Sequence, residues 1–322
     1  MLRPDQYQRA GELLSRGDLV VIPTETVYGL GASALASAAI GAVFDAKERP
    51  RDNPLIVHVG ELAAALDLVP PDLGLTRRIL ETYAPGPITV ILPAPAWAVP
   101  EVRGGLPTIA VRVPSPEITR KAIIAAGVPV AAPSANRSGR PSPTTVAMAI
   151  EEMDGRVAAI LDGGPCTVGI ESTIVDARSD REVVILRPGR ITAAEIARDL
   201  GCAVRLRDAE DVPTPGTRYR HYTPRVPVVL VPADELDAAR KEAKRLPAWT
   251  ELSLQRFGDF ATYEENLYRA FWDAERAGHA VILAELPPEG SAEGLTDRLR
   301  RAAVGEYRRG ELGRFVGGRF FG

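Results

Sequence analysis

The segment KERPRDNPLIVH, residues 47–58, decides the fold class because a helix ends and a buried strand begins within it. Residues 34–46 before it are rich in alanine and predict a helix, whereas residues 55–59 form an apolar run of strand length. Pro50 and Pro54 separate the two patterns, since proline stops a helix and restricts the residue before it to extended backbone. A helix joined closely to a buried strand predicts an α/β fold.

The same alternation extends outward from this segment as far as residue 205. Apolar runs bounded by glycine and proline predict further strands at 19–22, 88–92, 109–113, 128–132, 157–161, 172–176 and 183–186. Helical periodicity or alanine-rich composition predicts helices at 4–16, 61–69, 75–83, 144–153 and 193–200. We therefore expect residues 1–205 to form one α/β domain.

Residues 206–227, LRDAEDVPTPGTRYRHYTPRVP, interrupt this pattern. They have no apolar period and contain four prolines, which predicts a linker or an active-site loop. Strand and helix patterns then alternate again to the end of the chain. Residues 228–322 are therefore expected to form a second, smaller α/β domain with a parallel sheet.

Composition excludes several classes of protein. The formal net charge of −3 argues against a protein that coats nucleic acid, and no apolar run is long enough to span a membrane. The charged N-terminus does not resemble an export signal, so we expect a cytoplasmic protein. Two cysteines and three histidines, all far apart, predict neither a disulfide framework nor a protein-held metal site.

The choice of cation makes Lys47 a candidate ligand-binding residue. Only four of the 39 basic residues are lysines, and Lys47 is the one that lies within a motif, next to Arg49 and Arg51. A compact ammonium beside guanidinium groups suits a triphosphate. The helix dipole would favour the same cations at a helix C-terminus without any ligand.

Other candidate residues lie in loops at the ends of strands, where open α/β sheets place their ligands. Arg112 interrupts an apolar strand on the same face as Thr108, and it requires an anion, either a protein carboxylate or a substrate carboxylate. His58 also lies on an apolar strand, although a lone strand histidine is more often a core residue. Small hydroxyl residues and glycines fill the remaining loops, PTETVYGLG (23–31), PSANRSGRPSPT (133–144) and GIESTIVD (169–176).

The chain lacks the familiar catalytic and phosphate-binding motifs. It has no GxxxxGK[ST] loop, no GxGxxG after a strand, no nucleophile elbow and no paired cysteines. The residues therefore predict a site that positions anionic substrates and lets them react, without a covalent nucleophile.

Taken together, the segments resemble the YrdC-like family. The motifs TETVYGLG, KERPRDNPLIVH, GPITVIL, AVRVPSP, PSANRSGRPSPT, ESTIVD and LRPG follow the family's order over residues 1–205, and PGTRYRHYTP at 215–224 resembles the linker of its long, two-domain form. The resemblance implies that residues 1–205 form a catalytic domain with a twisted, open mixed sheet and helices around a concave cavity. It implies a smaller Rossmann-like α/β domain at 228–322.

The resemblance also implies an enzyme, a nucleotidyltransferase that converts L-threonine, bicarbonate and ATP to threonylcarbamoyl-adenylate and pyrophosphate. It assigns L-threonine to Thr26, His58, Arg112, Ala132 and Ser172. It assigns ATP to Lys47, Arg49, Asn53, Thr108, Ser134, Ser142, Arg187 and Tyr222, with Lys47 and Arg49 positioning the substrates. Mg²⁺ would accompany ATP, no organic cofactor is expected, and residues 206–227 would form a lid over the nucleotide.

The implied partners are small substrates and a separate transferase that passes the threonylcarbamoyl group to tRNA. Direct binding of tRNA is a weaker expectation, and no membrane partner is expected. Two other functions remain open from the residues. One is a carbamoyl-transfer enzyme of the same fold that uses carbamoyl phosphate, although the acylphosphatase and zinc-finger modules of such proteins are missing here. The other is a non-enzymatic RNA-binding module, which the net charge disfavours.

Overall fold

A computed structural model describes residues 1–179, 181–208, 221–246 and 248–316. The chain divides into two compact units. The first unit comprises Met1–Ser138 and Ser142–Arg218, and the second comprises Gly139–Pro141 and Tyr219–Gly322. Across the described ranges, none of the helices is both long enough and apolar enough to cross a bilayer.

The first unit is built on a ten-stranded sheet. Its strands are β1 (Val20–Ile22), β2 (Gly29–Ser33), β3 (Ile56–His58), β4 (Ile88–Pro93), β5 (Thr108–Arg112), β6 (Val130–Ala131), β7 (Ala159–Ile160), β8 (Thr173–Asp176), β9 (Glu182–Arg187) and β10 (Ala203–Leu206). Its helices are α1 (Tyr7–Ser15), α2 (Ser37–Lys47), α3 (Leu62–Leu66), α4 (Gly74–Tyr83), α5 (Pro100–Arg103), α6 (Glu117–Ala126), α7 (Val146–Met153) and α8 (Ala193–Leu200), preceded by a 3-10 turn at Pro4–Gln6.

The strand order is β10-β9-β8-β4-β5-β3-β6-β2-β1-β7. Parallel pairs such as β3–β5 and β4–β8 alternate with antiparallel pairs such as β4–β5 and β3–β6, which confirms the predicted mixed sheet. Strand β2 was not predicted, because its glycines give no strand signal. It forms through tertiary pairing, antiparallel to β1 with Ile22 opposite Gly29.

The two faces of the central strands are covered differently. Side chains of Val90 and Val111 pack beneath α3, α4 and α8. The alternating residues point to the opposite face, where a small buried cluster contains, among the described residues, strand residues alone. This strand-only cluster consists of Ile56, Ile91, Ala110, Ile174, Val184 and Leu186. The strand-only cluster therefore marks a part of this face that none of the residues in the cluster ties to a helix.

The second unit has a four-stranded sheet in the order β12-β13-β11-β14 with all pairs parallel, as predicted. Its strands are β11 (Val228–Val231), β12 (Trp249–Leu252), β13 (Val281–Glu285) and β14 (Gly305–Glu306). Its helices are α9 (Leu236–Ala243), α10 (Leu254–Phe257), α11 (Phe260–Arg276) and α12 (Glu293–Ala302), with 3-10 turns at Ala233–Glu235 and Leu312–Phe315. Strand β12 ends at Leu252, because the next residue, Ser253, caps α10 by accepting a hydrogen bond from the Arg256 amide.

Gly11 provides a test of the close packing between α1 and α6. A Cβ atom added there would lie 2.6 Å from Ala125 Cβ and 2.8 Å from the Ala122 carbonyl oxygen. We expect Gly11→Ala to lower the free energy of unfolding by about 1–3 kcal/mol in urea titrations. Gly41→Ala in α2 is the matched control, since its Cβ would meet only Arg51 Nη1 at 3.5 Å and should stabilise the helix by roughly 0.5–1 kcal/mol. Equal stability of the two variants would contradict this packing.

Candidate active site

Four neighbouring strands bring residues predicted to bind L-threonine to the same end of the sheet. His58 and Arg112 end β3 and β5, and they are paired in the parallel ladder. The Val90–Val111 pair places Thr89 of β4 beside Arg112, and Ser172 immediately precedes β8. Because β8, β4, β5 and β3 are consecutive, these side chains line one end of the face that carries the strand-only cluster.

Arg112 has a protein carboxylate as a partner, which the sequence left open. Its Nη2 lies 2.8 Å from Glu25 Oε1, and both side chains are 5% exposed. Its Nη1 donates to Thr26 Oγ1 at 2.9 Å, and its Nε donates to the Gly86 carbonyl at 3.3 Å. Among the described residues, Nη2 has no aligned hydrogen bond, so the pair is electrostatic and an N–H group remains for a second acceptor.

The loop after β1 holds Thr26 in place through its own hydrogen bonds. Thr24 Oγ1 accepts from the Thr26 amide at 3.2 Å and from the Val27 amide at 3.1 Å. The Glu25 carbonyl accepts from the Val168 amide at 2.7 Å, and its carboxylate accepts from the Ser115 amide at 3.2 Å. A short threonine-based turn therefore fixes both groups that contact Arg112.

His58 is a neutral side chain at this end of the site. Burial, assisted by the charge of Arg112, lowers the pKa of His58 to about 3. Its Nδ1 lies 3.2 Å from the Ile56 carbonyl oxygen. The imidazole can therefore form hydrogen bonds at neutral pH without carrying charge. Ala132, predicted to act through its backbone, lies next to the same strand, and its amide donates to the Ile56 carbonyl at 2.9 Å.

Ser172 is held from two sides. Its Oγ lies 2.7 Å from Thr89 Oγ1, and Arg187 Nη2 donates to the same Oγ at 3.2 Å and to the Ser172 carbonyl at 3.0 Å. The structure thus brings Arg187, predicted for the nucleotide, to a residue predicted for threonine. Sequence analysis did not select Thr89, although a hydroxyl within an apolar strand was an available signal.

Lys47 ties the end of α2 to the loop that follows β6. Its Nζ donates to the carbonyls of Ser134 and Asn136, the latter at 2.5 Å, and its own carbonyl accepts from the Ser138 amide at 2.8 Å. The side chain is fully buried, and burial, followed by the charge of Arg49, lowers the pKa of the Lys47 ammonium. The lysine that the sequence singled out therefore organises the loop; its contact with a phosphate stays a prediction.

Asn53 is a buried polar residue with unused hydrogen-bonding capacity. Its side chain is fully buried, and neither its amide nitrogen nor its amide oxygen has a hydrogen-bond partner within the described ranges. Leaving such a group unsatisfied costs about 1–3 kcal/mol, which a bound polar molecule would recover. Arg49 lies beside it, with Nη2 donating to the Pro54 carbonyl at 3.2 Å.

Two buried carboxylates that sequence reasoning did not select support the same loop. Glu171 accepts from Ser142 Oγ at 2.6 Å, and Glu152 accepts from the Arg137 amide at 3.1 Å and from Arg137 Nε at 3.2 Å. Their partners are distant in sequence, so spacing gave no signal. In the described parts of the chain, no three His, Cys, Asp or Glu side chains gather as a metal site requires.

The site has two polar ends joined by an apolar floor. Thr108 and Arg112 lie at opposite ends of β5, about 13 Å apart for four strand steps of roughly 3.3 Å. Ala110 of the strand-only cluster lies between them. Asn53 precedes β3, which is parallel to β5, and therefore lies toward the Thr108 end. The arrangement suits an elongated ligand with polar groups at both ends.

Tyr222 belongs to the second unit, where its described contacts lie. Its ring centroid is 5.6 Å from that of Tyr268 and 5.2 Å from Arg298 Cζ, and its backbone has a φ of 66°. Residues 209–220 of the predicted linker lie outside the described residues. The placement of Tyr222 over a nucleotide, and the lid, therefore stay predictions.

Comparisons with known proteins identify the family of the chain. A family model described as "Telomere recombination" matches residues 12–189 of the chain, which is more than half of it. The chain belongs to the YrdC-like family. A second model, described as "Threonylcarbamoyl-AMP synthase, C-terminal domain", matches residues 191–304 of this YrdC-like chain.

Two relatives are threonylcarbamoyl-AMP synthases by name. One from Pyrococcus abyssi is 36% identical over 318 residues, which cover 91% of this YrdC-like chain and 93% of the relative. One from Bacillus subtilis is 41% identical over 230 residues, which cover 70% of this chain and 66% of the relative. The crystal structure of Pyrococcus abyssi Sua5 complexed with L-threonine superposes with a TM-score of 0.84 at 32% identity, covering 95% of this chain and 98% of that one. The chain is accordingly an enzyme of the nucleotidyltransferase type.

The Glu25–Arg112 pair predicts a strong coupling between two buried charges. Removing one partner leaves the other charge buried, so Glu25→Leu or Arg112→Met alone should lower the free energy of unfolding by about 3–5 kcal/mol. The double variant should be more stable than the sum of the two losses implies. Asp45–Arg51, an exposed pair at 2.6 Å, is the control and should show a coupling of only about 0–1 kcal/mol. Equal coupling energies in the double-mutant cycles of the two pairs would contradict strong coupling between Glu25 and Arg112.

His58 predicts a pH dependence of stability. Its pKa is about 3 in the folded chain and about 6.5 when unfolded, so the folded form binds fewer protons between these values. The contribution of His58 is complete above about pH 6.5 and is lost as pH falls toward 3, by at most roughly 1.4 kcal/mol per pH unit. Denaturant titrations at several pH values should give free energies of unfolding for wild type and His58→Asn that converge as the pH falls. A difference in free energy of unfolding that stays constant with pH would show that His58 does not titrate in this way.

Proposed function

We propose that the chain converts L-threonine, bicarbonate and ATP to L-threonylcarbamoyladenylate and pyrophosphate. The observation that carries this proposal is the pair of polar ends joined by an apolar floor on the sheet face that carries the strand-only cluster. An amino acid and a nucleotide would occupy the two ends. Membership of the family and relatives named threonylcarbamoyl-AMP synthase support the assignment.

The Arg112 end would bind threonine. A carboxylate can accept from the Arg112 N–H that is not aligned with Glu25, while Glu25 compensates the charge of Arg112 before the substrate arrives. The hydroxyls of Thr26 and Ser172 and the neutral imidazole of His58 would meet the polar groups of the substrate. The structure of the Pyrococcus abyssi relative complexed with L-threonine supports this choice of amino acid.

The Asn53 end would bind ATP. Asn53 offers a buried amide with unused hydrogen-bonding capacity, and Thr108 lies on the neighbouring strand. Small residues of the loop held by Lys47, including Ser134 and Ser142, would present backbone amides and hydroxyls to phosphate oxygens. Mg²⁺ would arrive bound to the phosphates of ATP, where it would neutralise charge.

The proposed chemistry needs positioning more than proton transfer. The threonine amine would attack bicarbonate or carbon dioxide, which forms a carbamate and, from bicarbonate, releases water. A carbamate oxygen would then attack the α-phosphorus of ATP, and pyrophosphate would leave. Arg112, the Lys47 loop and Arg187 would hold the reacting groups in line and balance their charge. A separate transferase would pass the threonylcarbamoyl group to tRNA.

Pyrophosphate release tests the reaction. We expect release from ATP only when L-threonine and bicarbonate are both present. Serine should be a weaker substrate, because the threonine methyl group adds roughly 1 kcal/mol of apolar contact. Release with ATP alone, or AMP transfer supported equally by carbamoyl phosphate, would refute the proposal.

Lys47→Arg tests whether a compact ammonium is required in the loop. The Lys47 side chain is enclosed and holds two carbonyls, so a planar guanidinium should displace the loop and raise the KM for ATP by about tenfold or more. Lys121→Arg is the control, because Lys121 is half-exposed and pairs with Glu117 on the surface. Full activity of Lys47→Arg would show that the loop requires only a positive charge at this position.

A further inference from the structure

The hydroxyl of Thr24 has one proton, and its contacts show which oxygen receives that proton. Thr24 Oγ1 lies 2.6 Å from the Val27 carbonyl oxygen and 2.8 Å from Thr26 Oγ1. A carbonyl oxygen cannot donate, and two oxygens this close repel each other unless a proton lies between them. The Thr24 proton therefore points to the Val27 carbonyl.

The contact between the two threonine hydroxyls then has a fixed direction. Because Thr24 donates to Val27, Thr26 must be the donor in the 2.8 Å contact with Thr24 Oγ1. The two threonines are 4% and 0% exposed, so their hydroxyls are shielded from bulk water. Thr24 Oγ1 also accepts from the amides of Thr26 and Val27, which holds the Thr24 hydroxyl in this orientation.

Thr26 Oγ1 is left with the capacity to accept a hydrogen bond but not to donate one. A threonine hydroxyl has one proton and two lone pairs. The Thr26 proton is directed at Thr24, and one lone pair accepts from Arg112 Nη1 at 2.9 Å. Within the described ranges, no other donor contacts Thr26 Oγ1, so its second lone pair is unused.

This polarity restricts what can bind beside Arg112. The unused lone pair of Thr26 repels a carboxylate oxygen and attracts an N–H or O–H group, whereas Arg112 Nη2 offers an N–H group to a carboxylate. Nη1 and Nη2 belong to one guanidinium group, so an acceptor and a donor lie close together. L-Threonine has the complementary groups, a carboxylate with an amino and a hydroxyl group near it.

We infer that Thr24 is a positioning residue: it keeps Thr26 an acceptor, so that this end of the site selects a substrate with a hydrogen-bond donor near its carboxylate. The inference rests on the proposed function, in which this end binds L-threonine. The donor on L-threonine is either its amino group or its hydroxyl group. Without the Thr24 hydroxyl, Thr26 could turn its proton toward the site, where it would oppose that donor.

Neutron diffraction tests the directions of these hydrogen bonds without any substrate. In deuterium-exchanged crystals of the full chain, we expect the Thr26 deuteron to lie between the Oγ1 atoms of Thr26 and Thr24. The Thr24 deuteron should face the Val27 carbonyl oxygen. A Thr26 deuteron that points away from Thr24 would overturn the inference.

Calorimetric binding of L-threonine tests the consequence for the substrate. Thr24→Val is nearly isosteric but lacks the hydroxyl, and we expect it to raise the Kd about tenfold, whereas Thr24→Ser should bind within about twofold of wild type. Thr76→Val is the matched control and should leave the Kd unchanged. Thr76 is a fully buried threonine of α4 whose hydroxyl makes no hydrogen bond in the described parts of the chain.

L-2-Aminobutyrate, which lacks the hydroxyl group of L-threonine, identifies the donor. If Thr24→Val weakens the binding of both ligands equally, the amino group donates to Thr26; a loss confined to L-threonine assigns the hydroxyl group, and either result supports the inference. Wild-type affinity in Thr24→Val, or a loss that Thr24→Ser does not reverse, would overturn it. If the wild type does not bind L-threonine although the deuterons lie as expected, the proposed function and the selective role of Thr24 both fail, while the hydrogen-bond directions stand.

Discussion

The buried guanidinium of Arg112 is the constraint on which the site depends. A charge at the end of an apolar strand has to be compensated, and the structure compensates it with Glu25, Thr26 and the Gly86 carbonyl. These partners belong to the loops after β1 and before β4, so satisfying one charge draws two distant segments to the same edge of the sheet. The amino-acid site that we propose lies at this edge.

The second constraint comes from the sheet, because successive side chains of a strand point to opposite faces. Residues such as Val90 and Val111 bury themselves under helices, which commits their neighbours Ile91 and Ala110 to the other face. That face combines a small apolar cluster with polar residues at both strand ends. A ligand lying along it can bury apolar surface in the middle and satisfy polar groups at the ends. The buried amide of Asn53, which makes no hydrogen bond within the described ranges, is one such polar group.

The sequence predicted the parallel second sheet from local periodicity, and the resemblance to the YrdC-like family implied the mixed sheet. It did not predict β2, whose glycines become a strand only through pairing with β1. It selected Arg112 and Lys47 without finding Glu25 or the loop carbonyls, since these contacts join residues more than 80 positions apart.

In the proposed function, Arg112 shares its charge between Glu25 and the carboxylate of the substrate. Calorimetric binding of L-threonine and of L-threonine amide to the full chain tests this claim most directly, because the two ligands differ only in that carboxylate. The account predicts that the amide binds at least about tenfold more weakly, since an ionic hydrogen bond with a buried guanidinium contributes roughly 1.5–3 kcal/mol. Equal affinities for the two ligands would contradict it.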